Sequence, residues 1–235
     1  DIHNPTGDLQ RLKIALKNQW GIKNCQIGLK KIQELQNLLR KGDWKITCAV
    51  FSQKSKQPEI ISIWPGFFEH TIYGLAVDLG STTIAAHLCD LRTGQVIHSA
   101  GVMNPQIRFG EDLMSRVSFA MMNKDGTDKL KTAVRESLNE LCIQIVKDCK
   151  IDEKQLVEIT LVCNPVMHHL FLGINPTELG QAPFALATSD SLYVNSWEID
   201  LTLLQNTKVY ILPCIAGHVG ADAAAVILSE EPNES

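Results

Sequence analysis

Gly74-Leu75-Ala76-Val77-Asp78-Leu79-Gly80-Ser81-Thr82-Thr83 is a short apolar run that breaks on an acid, a glycine and three consecutive hydroxyl residues. Residues 73–77 read as a strand, 78–81 as a turn, and 82–88, rich in β-branched and small side chains, as a second strand. Gly80 lets the backbone approach a phosphate closely. Successive N–H groups and hydroxyls at Ser81, Thr82 and Thr83 can form an anion-binding nest. A carboxylate beside a phosphate is useful only with a cation between them. Asp78 therefore reads as the catalytic candidate, a ligand through water of the Mg2+ that accompanies a nucleotide. A plain hairpin turn with a capping Asp would use the same six residues, so the flanking segments must decide.

Asp90-Leu91-Arg92-Thr93-Gly94 reads as a hairpin turn with glycine where positive φ is needed, and 95–102 as a third strand. Helical spacing follows at 111–122 (Leu113, Val117, Met121) and at 127–149 (Leu130, Val134, Leu138, Leu141, Ile145). A buried strand at 158–163, a short helix at 166–172, a strand at 209–213 and an Ala-rich helix at 220–228 complete the order βββ-α-α-β-α-β-α. Three antiparallel strands extended by parallel strands with crossover helices predict an α/β, ribonuclease-H-like layered sheet. In that context the phosphate reading of the turn is preferred. Residues 173–207 carry few periodic apolar positions and read as a long irregular insertion.

Residues 1–70 form a separate small α+β module. Asp8 can cap a helix with Leu9, Leu12 and Leu16 on one face. A second helix from about residue 28 places Ile32, Leu35 and Leu39 together and stops at Gly42. Trp44, Ile46, Cys48 and Val50 alternate as a half-buried strand, and 60–64 is a second strand. Pro65-Gly66 marks the boundary.

The chain has 235 residues, 45% apolar and 20% charged, the range of globular proteins, with room for a real core. A net charge of -4 without a basic stripe excludes a nucleic-acid partner. No apolar run approaches the roughly 20 residues of a membrane span, and the first residues lack a signal peptide's pattern. The seven cysteines are scattered without Cys-x-x-Cys spacing. They read as reduced core thiols in a cytoplasmic protein, with no metal cluster held by this chain.

Val77-Asp78-Leu79-Gly80-Ser81-Thr82-Thr83 resembles the first phosphate motif of the acetate/sugar kinase–Hsp70–actin (ASKHA) superfamily. Four segments in order resemble, more specifically, the ATP-dependent reductive activators of corrinoid proteins. They are 74–83; Asn104-Pro105-Gln106 with Phe109-Gly110-Glu111-Asp112-Leu113-Met114-Ser115-Arg116; Cys163-Asn164-Pro165-Val166-Met167-His168-His169-Leu170-Phe171-Leu172-Gly173 with Gly180-Gln181-Ala182-Pro183-Phe184; and Leu212-Pro213-Cys214-Ile215-Ala216-Gly217-His218-Val219-Gly220-Ala221-Asp222. The resemblance implies that 71–235 is the first lobe of an ASKHA ATPase domain and that 1–70 resembles the family's middle domain. It implies ATP and Mg2+ as cofactors, a [2Fe–2S] ferredoxin-like domain and a second lobe outside this sequence, and one-electron reduction of a Co(II) corrinoid to Co(I). The implied partner is a corrinoid protein or a corrinoid-dependent methyltransferase component. A chain without those two parts is expected to be a fragment, inactive alone, whose bared 220–228 helix face (Val226, Ile227) favours self-association as a homodimer.

Beyond the turn, Asn164 ends a buried strand where doubly wound sheets place ligands, and could contact a phosphate or act as a turn former. Gly217, Gly220 and the alanines at 221 and 223–225 resemble the helix that crosses to the second lobe. Asp222 could reach the metal's outer ligands or cap a helix. Adjacent His168 and His169 read as one core and one surface residue rather than a metal pair. Asp112 and Arg116, at i, i+4, could form a surface pair or line the cleft. A small-molecule kinase of the same superfamily would need a catalytic carboxylate that the sequence does not offer. A non-catalytic interaction lobe is the other alternative, and the intact turn argues against it.

Overall fold

Two apolar stripes at helical spacing build the first unit, residues 1–70, of a computed structural model that describes residues 5–53, 56–202, 207–217 and 219–222. Helix α1 (Asp8–Trp20) buries Leu12 and Leu16, and α2 (Leu29–Lys41) buries Leu35 and Leu39. They pack with Ile60 and Ile63 of a small sheet. The cap of α1 differs from the expectation. Gly7 holds the cap position without a side-chain bond, and Asp8 begins the helix, where it pairs with Arg40 at 2.8 Å. An acid in the first turn meets the positive end of the helix dipole and a cation at once.

The sheet of this unit contains β1 (Gln26–Ile27), β2 (Ile46–Phe51) and β3 (Glu59–Pro65) in the order β1-β3-β2. Strand β1 was not expected, since two residues show no alternation; it pairs parallel to β3. Gly42 follows α2 as read, because a Cβ there would run into the backbone of Lys45 and Gly66.

The second unit, residues 71–235, is built, among the described residues, on six strands. They are β4 (Tyr73–Leu79), β5 (Thr83–Asp90), β6 (Val96–Met103), β7 (Leu156–Cys163), β8 (Leu192–Asn195) and β9 (Lys208–Ile211). Their order is β6-β5-β4-β7-β9-β8. Strands β4, β5 and β6 are antiparallel neighbours, while β4, β7 and β9 run parallel. This is the ribonuclease-H-like arrangement expected from the sequence. Asp90 and Gly94 form the predicted hairpin turn: the Asp90 carboxylate accepts the Arg92 N–H at 2.7 Å, and Gly94 has φ +75°.

Among the described residues, helices α3 (Leu113–Met122), α4 (Gly126–Asp148) and α5 (Pro165–Leu172) accompany the sheet. Leu138, Leu141 and Ile145 of α4 meet Leu75, Val77 and Ile84 of the sheet and Met167 and Phe171 of α5 in the main core. Val117, Leu130, Val166 and Leu170 make a second cluster among the helices.

The insertion is more ordered than the sequence suggested. Residues 192–195 form β8, an antiparallel edge strand on β9, and Tyr193 stacks on Tyr210 at 4.4 Å between ring centroids. Ile199 and Leu201 enter the main core. A four-residue strand between turn-forming residues gives too little periodicity to detect. Of the expected 220–228 helix, residues 221–222 are helical. Residues 223–228, with Val226 and Ile227, lie outside the described residues, as does His218.

Candidate nucleotide site

Because β4, β7 and β9 are parallel, their carboxyl ends open on one edge. Asp78 lies opposite Val162 and Leu79 opposite Cys163, while Leu161 lies opposite Ile211. The turn after β4, Asn164 after β7 and the segment after β9 are thereby brought to the same edge, where open α/β sheets place ligands.

The turn is held from behind. Gly80 donates its N–H to the Thr83 carbonyl at 3.0 Å. The Gly80 carbonyl accepts the Asn104 side-chain amide at 2.8 Å, the Ser81 carbonyl accepts Nη2 of Arg116 at 2.6 Å, and the Thr82 carbonyl accepts the Asn104 backbone N–H at 2.7 Å. In a trans peptide the carbonyl and the following N–H point in opposite directions. With three successive carbonyls turned toward Asn104 and Arg116, the N–H groups of Ser81, Thr82 and Thr83 turn away from them. A Cβ on Gly80 would stand 2.6 Å from the Thr83 carbonyl oxygen, so the turn closes this tightly only with glycine.

Asp78 is exposed on the same strand end. Partial burial of its carboxyl, and then the charge of Asp222, push its pKa above the usual carboxylate range; His87 works against them. Asp222 lies in the first helical residues after Gly220. Gly220 has a packing reason of its own: a Cβ there would lie 2.6 Å from the Asn164 Cα and 2.6 Å from the Cys163 carbonyl. This contact sets the 220–222 segment against the end of β7 and brings Asp222 toward Asp78. Gly217 packs on the backbone of Phe184, tying the segment after β9 to the insertion.

Asn164 takes up helix capping. Its side-chain oxygen accepts the Met167 N–H at 2.9 Å at the start of α5. His168 and His169 are both buried, which corrects the expectation of one surface histidine. His169 is fully bonded: Nε2 accepts the Ala187 N–H at 2.9 Å, so Nδ1 carries the proton donated to the Pro165 carbonyl at 2.9 Å. It thereby ties the insertion to α5. Burial lowers the His169 pKa, and burial followed by His169 lowers that of His168 to about 4.

Asp112 and Arg116 do not form a surface pair. Asp112 caps α3 in a reciprocal box with Ser115, and Arg116 is fully buried. The sequence reading places Arg116 in a surface pair or along the cleft rather than as a hold on the turn, and offers Asn104 and Gln106 no role beyond the family resemblance. The available signal was polar residues within a segment that carries helical apolar spacing.

Two carboxylates and a row of outward amides suit Mg2+ with a phosphate, since this ion keeps much of its water and takes one or two carboxylates. Among the described residues no group of three or more His, Cys, Asp or Glu side chains is placed to hold a metal. No described helix is long and apolar enough to cross a membrane.

The fold and the edge define a ribonuclease-H-like α/β lobe with an amide-lined turn at the carboxyl ends of its parallel strands. Residues 73–234 match the family described as RACo middle region, and residues 1–70 match the RACo linker region. The chain belongs to this family. The name of the first region differs from the expectation, which likened residues 1–70 to the family's middle domain. The chain is 34% identical over 160 residues to the corrinoid activation enzyme RamQ of Eubacterium limosum, covering 68% of this chain and 27% of that protein. It is 23% identical over 172 residues to the [Co(II) methylated amine-specific corrinoid protein] reductase of Methanosarcina barkeri, covering 68% of this chain and 30% of that protein. The solved structure of a reductive activator for corrinoid,iron-sulfur protein matches all of this chain and 37% of its own, with a TM-score of 0.85 and 29% identity. The chain thus spans less than a third of the curated relatives' length.

Proposed function

We propose that the protein containing this chain is an ATP-dependent reductive activator that returns an inactive Co(II) corrinoid to Co(I). The electron would come from a [2Fe–2S] centre outside this chain. Residues 71–235 act as the first lobe of an ASKHA ATPase domain. The observation that carries the nucleotide reading is the turn 78–83, whose Gly80, Ser81 and Thr82 carbonyls are held by Asn104 and Arg116, so that the following amides turn away from them, beside an Asp78 that senses the charge of Asp222.

The Ser81, Thr82 and Thr83 amides and hydroxyls would bind phosphate oxygens, and Gly80 lets the backbone close around them. Asp78 would hold Mg2+ through water, with Asp222 behind it. The ion would neutralise phosphate charge that the two carboxylates would otherwise repel. Gly220 keeps the crossing segment close to Asn164, which aligns the start of α5 and could reach the phosphate's water, and Gly217 keeps it against Phe184. Reduction of a Co(II) corrinoid is uphill for ordinary donors. Nucleotide can assist only by binding two conformations of the activator with different affinity. The partner is a corrinoid protein, or a methyltransferase component carrying one, and the setting is cytoplasmic.

The test uses the intact protein with its corrinoid partner and Mg·ATP. Asp78→Ala is expected to abolish ATP-dependent appearance of the Co(I) spectrum while far-UV circular dichroism and any cluster absorption stay unchanged. Normal turnover by the folded variant would remove Asp78 from the mechanism.

A further inference from the structure

Arg116 has the environment of a built component rather than a core residue. It is fully buried on α3, and among the described residues no carboxylate lies within ion-pair distance. A buried guanidinium without a counter-ion is expensive unless its donors are satisfied. Here they are satisfied by fixed acceptors: Nε donates to the Gly110 carbonyl at 3.0 Å, Nη1 to the Gln106 side-chain oxygen at 3.2 Å and Nη2 to the Ser81 carbonyl at 2.6 Å. Nη1 also approaches Sδ of Met167 at 3.3 Å.

Each acceptor is itself fixed. The Gln106 side chain donates to the Leu130 carbonyl at 2.9 Å, and its N–H donates to the Asn104 side-chain oxygen at 3.0 Å. Asn104 holds the Gly80 and Thr82 carbonyls. A Cβ on Gly110 would lie 2.6 Å from Ser115 Oγ and 2.7 Å from the Arg116 N–H nitrogen, so the loop that supplies the Gly110 carbonyl is pressed against α3. A planar fork suits this arrangement, because three acceptors in fixed directions meet three donors in fixed directions, which a lysine ammonium cannot reproduce.

We propose that Arg116 is a positioning residue for phosphate binding: through the Ser81 carbonyl its guanidinium orients the Thr82 amide outward and places a full positive charge directly behind the phosphate turn. This rests on the reading that residues 78–83 take a nucleotide phosphate. Two effects add in the same direction. The fork fixes the amide before ligand arrives, removing the ordering that a mobile turn would require. The charge is unscreened by a contacting carboxylate and lies in a protein interior, where its field on an anion exceeds that of a surface cation. Arg116 touches the turn and not the ligand, so its influence should scale with the ligand's phosphate content.

The experiment compares Mg·ATP and adenosine as probes by calorimetry on the intact protein, with wild type, Asp78→Ala, Arg116→Lys and Arg116→Gln. Arg116→Gln is expected to weaken Mg·ATP binding at least about tenfold, the loss of a hydrogen bond from a charged donor. Arg116→Lys retains the charge but not the fork, and should fall between Arg116→Gln and wild type. Adenosine affinity should stay within about twofold throughout, because no phosphate is present to sense the turn. Equal losses for adenosine and Mg·ATP would show a merely structural role and overturn the proposal, as would wild-type Mg·ATP affinity in both variants. If Arg116→Gln fails to fold, the lysine variant decides by the same two probes. Wild-type protein that binds no Mg·ATP sinks the nucleotide reading itself, whereas loss in Asp78→Ala with none in the Arg116 variants sinks this inference alone.

Discussion

The two units of the chain are stabilised in different ways. In residues 1–70 the interior is apolar: Leu12, Leu16, Leu35, Leu39, Ile60 and Ile63 fill it, and among the described residues Ser62 is the buried polar side chain. In residues 71–235 the apolar core is larger, and it also encloses Asn104, Gln106, Arg116, Arg135, His168 and His169. Those polar groups do not strengthen the core. Apart from His168, whose ring nitrogens have no partner among the described residues, they fix loops: Asn104 and Arg116 the turn after β4, His169 the insertion at Ala187, and Arg135 the end of α5 through the Phe171 carbonyl at 2.8 Å. A buried polar network that is fully satisfied specifies one geometry. The first unit's interior is filled by apolar burial; the second also uses burial to aim backbone groups.

If that contrast is right, deleting a core leucine should not distinguish the units. Leu35 of α2 is 1% exposed and Leu138 of α4 is 0% exposed. Leu35→Ala and Leu138→Ala should each destabilise their unit by about 2–5 kcal/mol, the lost transfer energy plus a cavity. Urea unfolding followed by segment-resolved hydrogen exchange reads each unit separately. A much smaller loss at Leu138 would show that the polar network, not the apolar core, sustains the second unit.

Acid should separate them. His168 is buried with neither ring nitrogen partnered among the described residues, and its pKa is lowered to about 4. Its folded pKa lies below the unfolded 6.5, so the unfolded chain binds a proton that the folded chain refuses. The stability of the neutral form is present above pH 6.5 and is lost progressively as pH falls toward 4, by up to about 1.4 kcal/mol per pH unit. His169 adds in the same direction, since a second ring proton would face the Ala187 N–H. From about pH 7 to about pH 5 the second unit should lose about 2 kcal/mol, with exchange rising first around 165–173 and 187. The first unit should hold over that interval, because its Asp8 carboxyl is lowered by Arg40 and titrates below 3.8. His168→Leu should remove most of the second unit's acid sensitivity. Parallel loss in both units would erase the contrast.

The same difference explains what the sequence revealed. Helices α1, α2 and α4 and the three hairpin strands carry repeated apolar spacing over long windows, and each was legible within a few residues. The turn at 78–83 was legible because glycine and hydroxyl residues after a strand have a local meaning. What holds that turn was not. Arg116 lies on a helix whose apolar spacing at Leu113 and Val117 gives no sign that the polar residue between them points inward. Its acceptors at Ser81, Gln106 and Gly110 are set by tertiary approach. Similarly, β8 is stabilised by pairing with β9 and by the stacking of Tyr193 on Tyr210, which no window around residues 192–195 contains. The approach of Asp222 to Asp78 depends on Gly220 meeting Asn164, a contact between segments more than fifty residues apart.

The smallest test of the contrast uses two ion pairs of equal length. Arg40–Asp8 in the first unit and Arg135–Asp200 in the second are both 2.8 Å apart. Arg40 is 50% exposed, donates also to the Gln36 carbonyl at 3.1 Å and lies over the Trp44 ring. Water can replace the Asp8 carboxylate there. Arg135 is 8% exposed and donates also to the Phe171 carbonyl. Removing the Asp200 charge leaves a buried guanidinium short of its counter-ion, although Asp200 itself is 69% exposed and so partly screened. Asp200 has φ +59°, a conformation that Asn tolerates as well, so Asp200→Asn isolates the charge from backbone strain. We expect Asp200→Asn to destabilise by about 1 kcal/mol and Asp8→Asn by about 0.5 kcal/mol, part of the latter from the first-turn dipole of α1. Thermal unfolding in about 0.5 M salt should erase the Asp8 effect and leave most of the Asp200 effect, because buried charge is screened less. Equal losses at low salt, both erased by high salt, would mean that Arg135 is solvated like Arg40 and that burial does not set the second unit apart at this site.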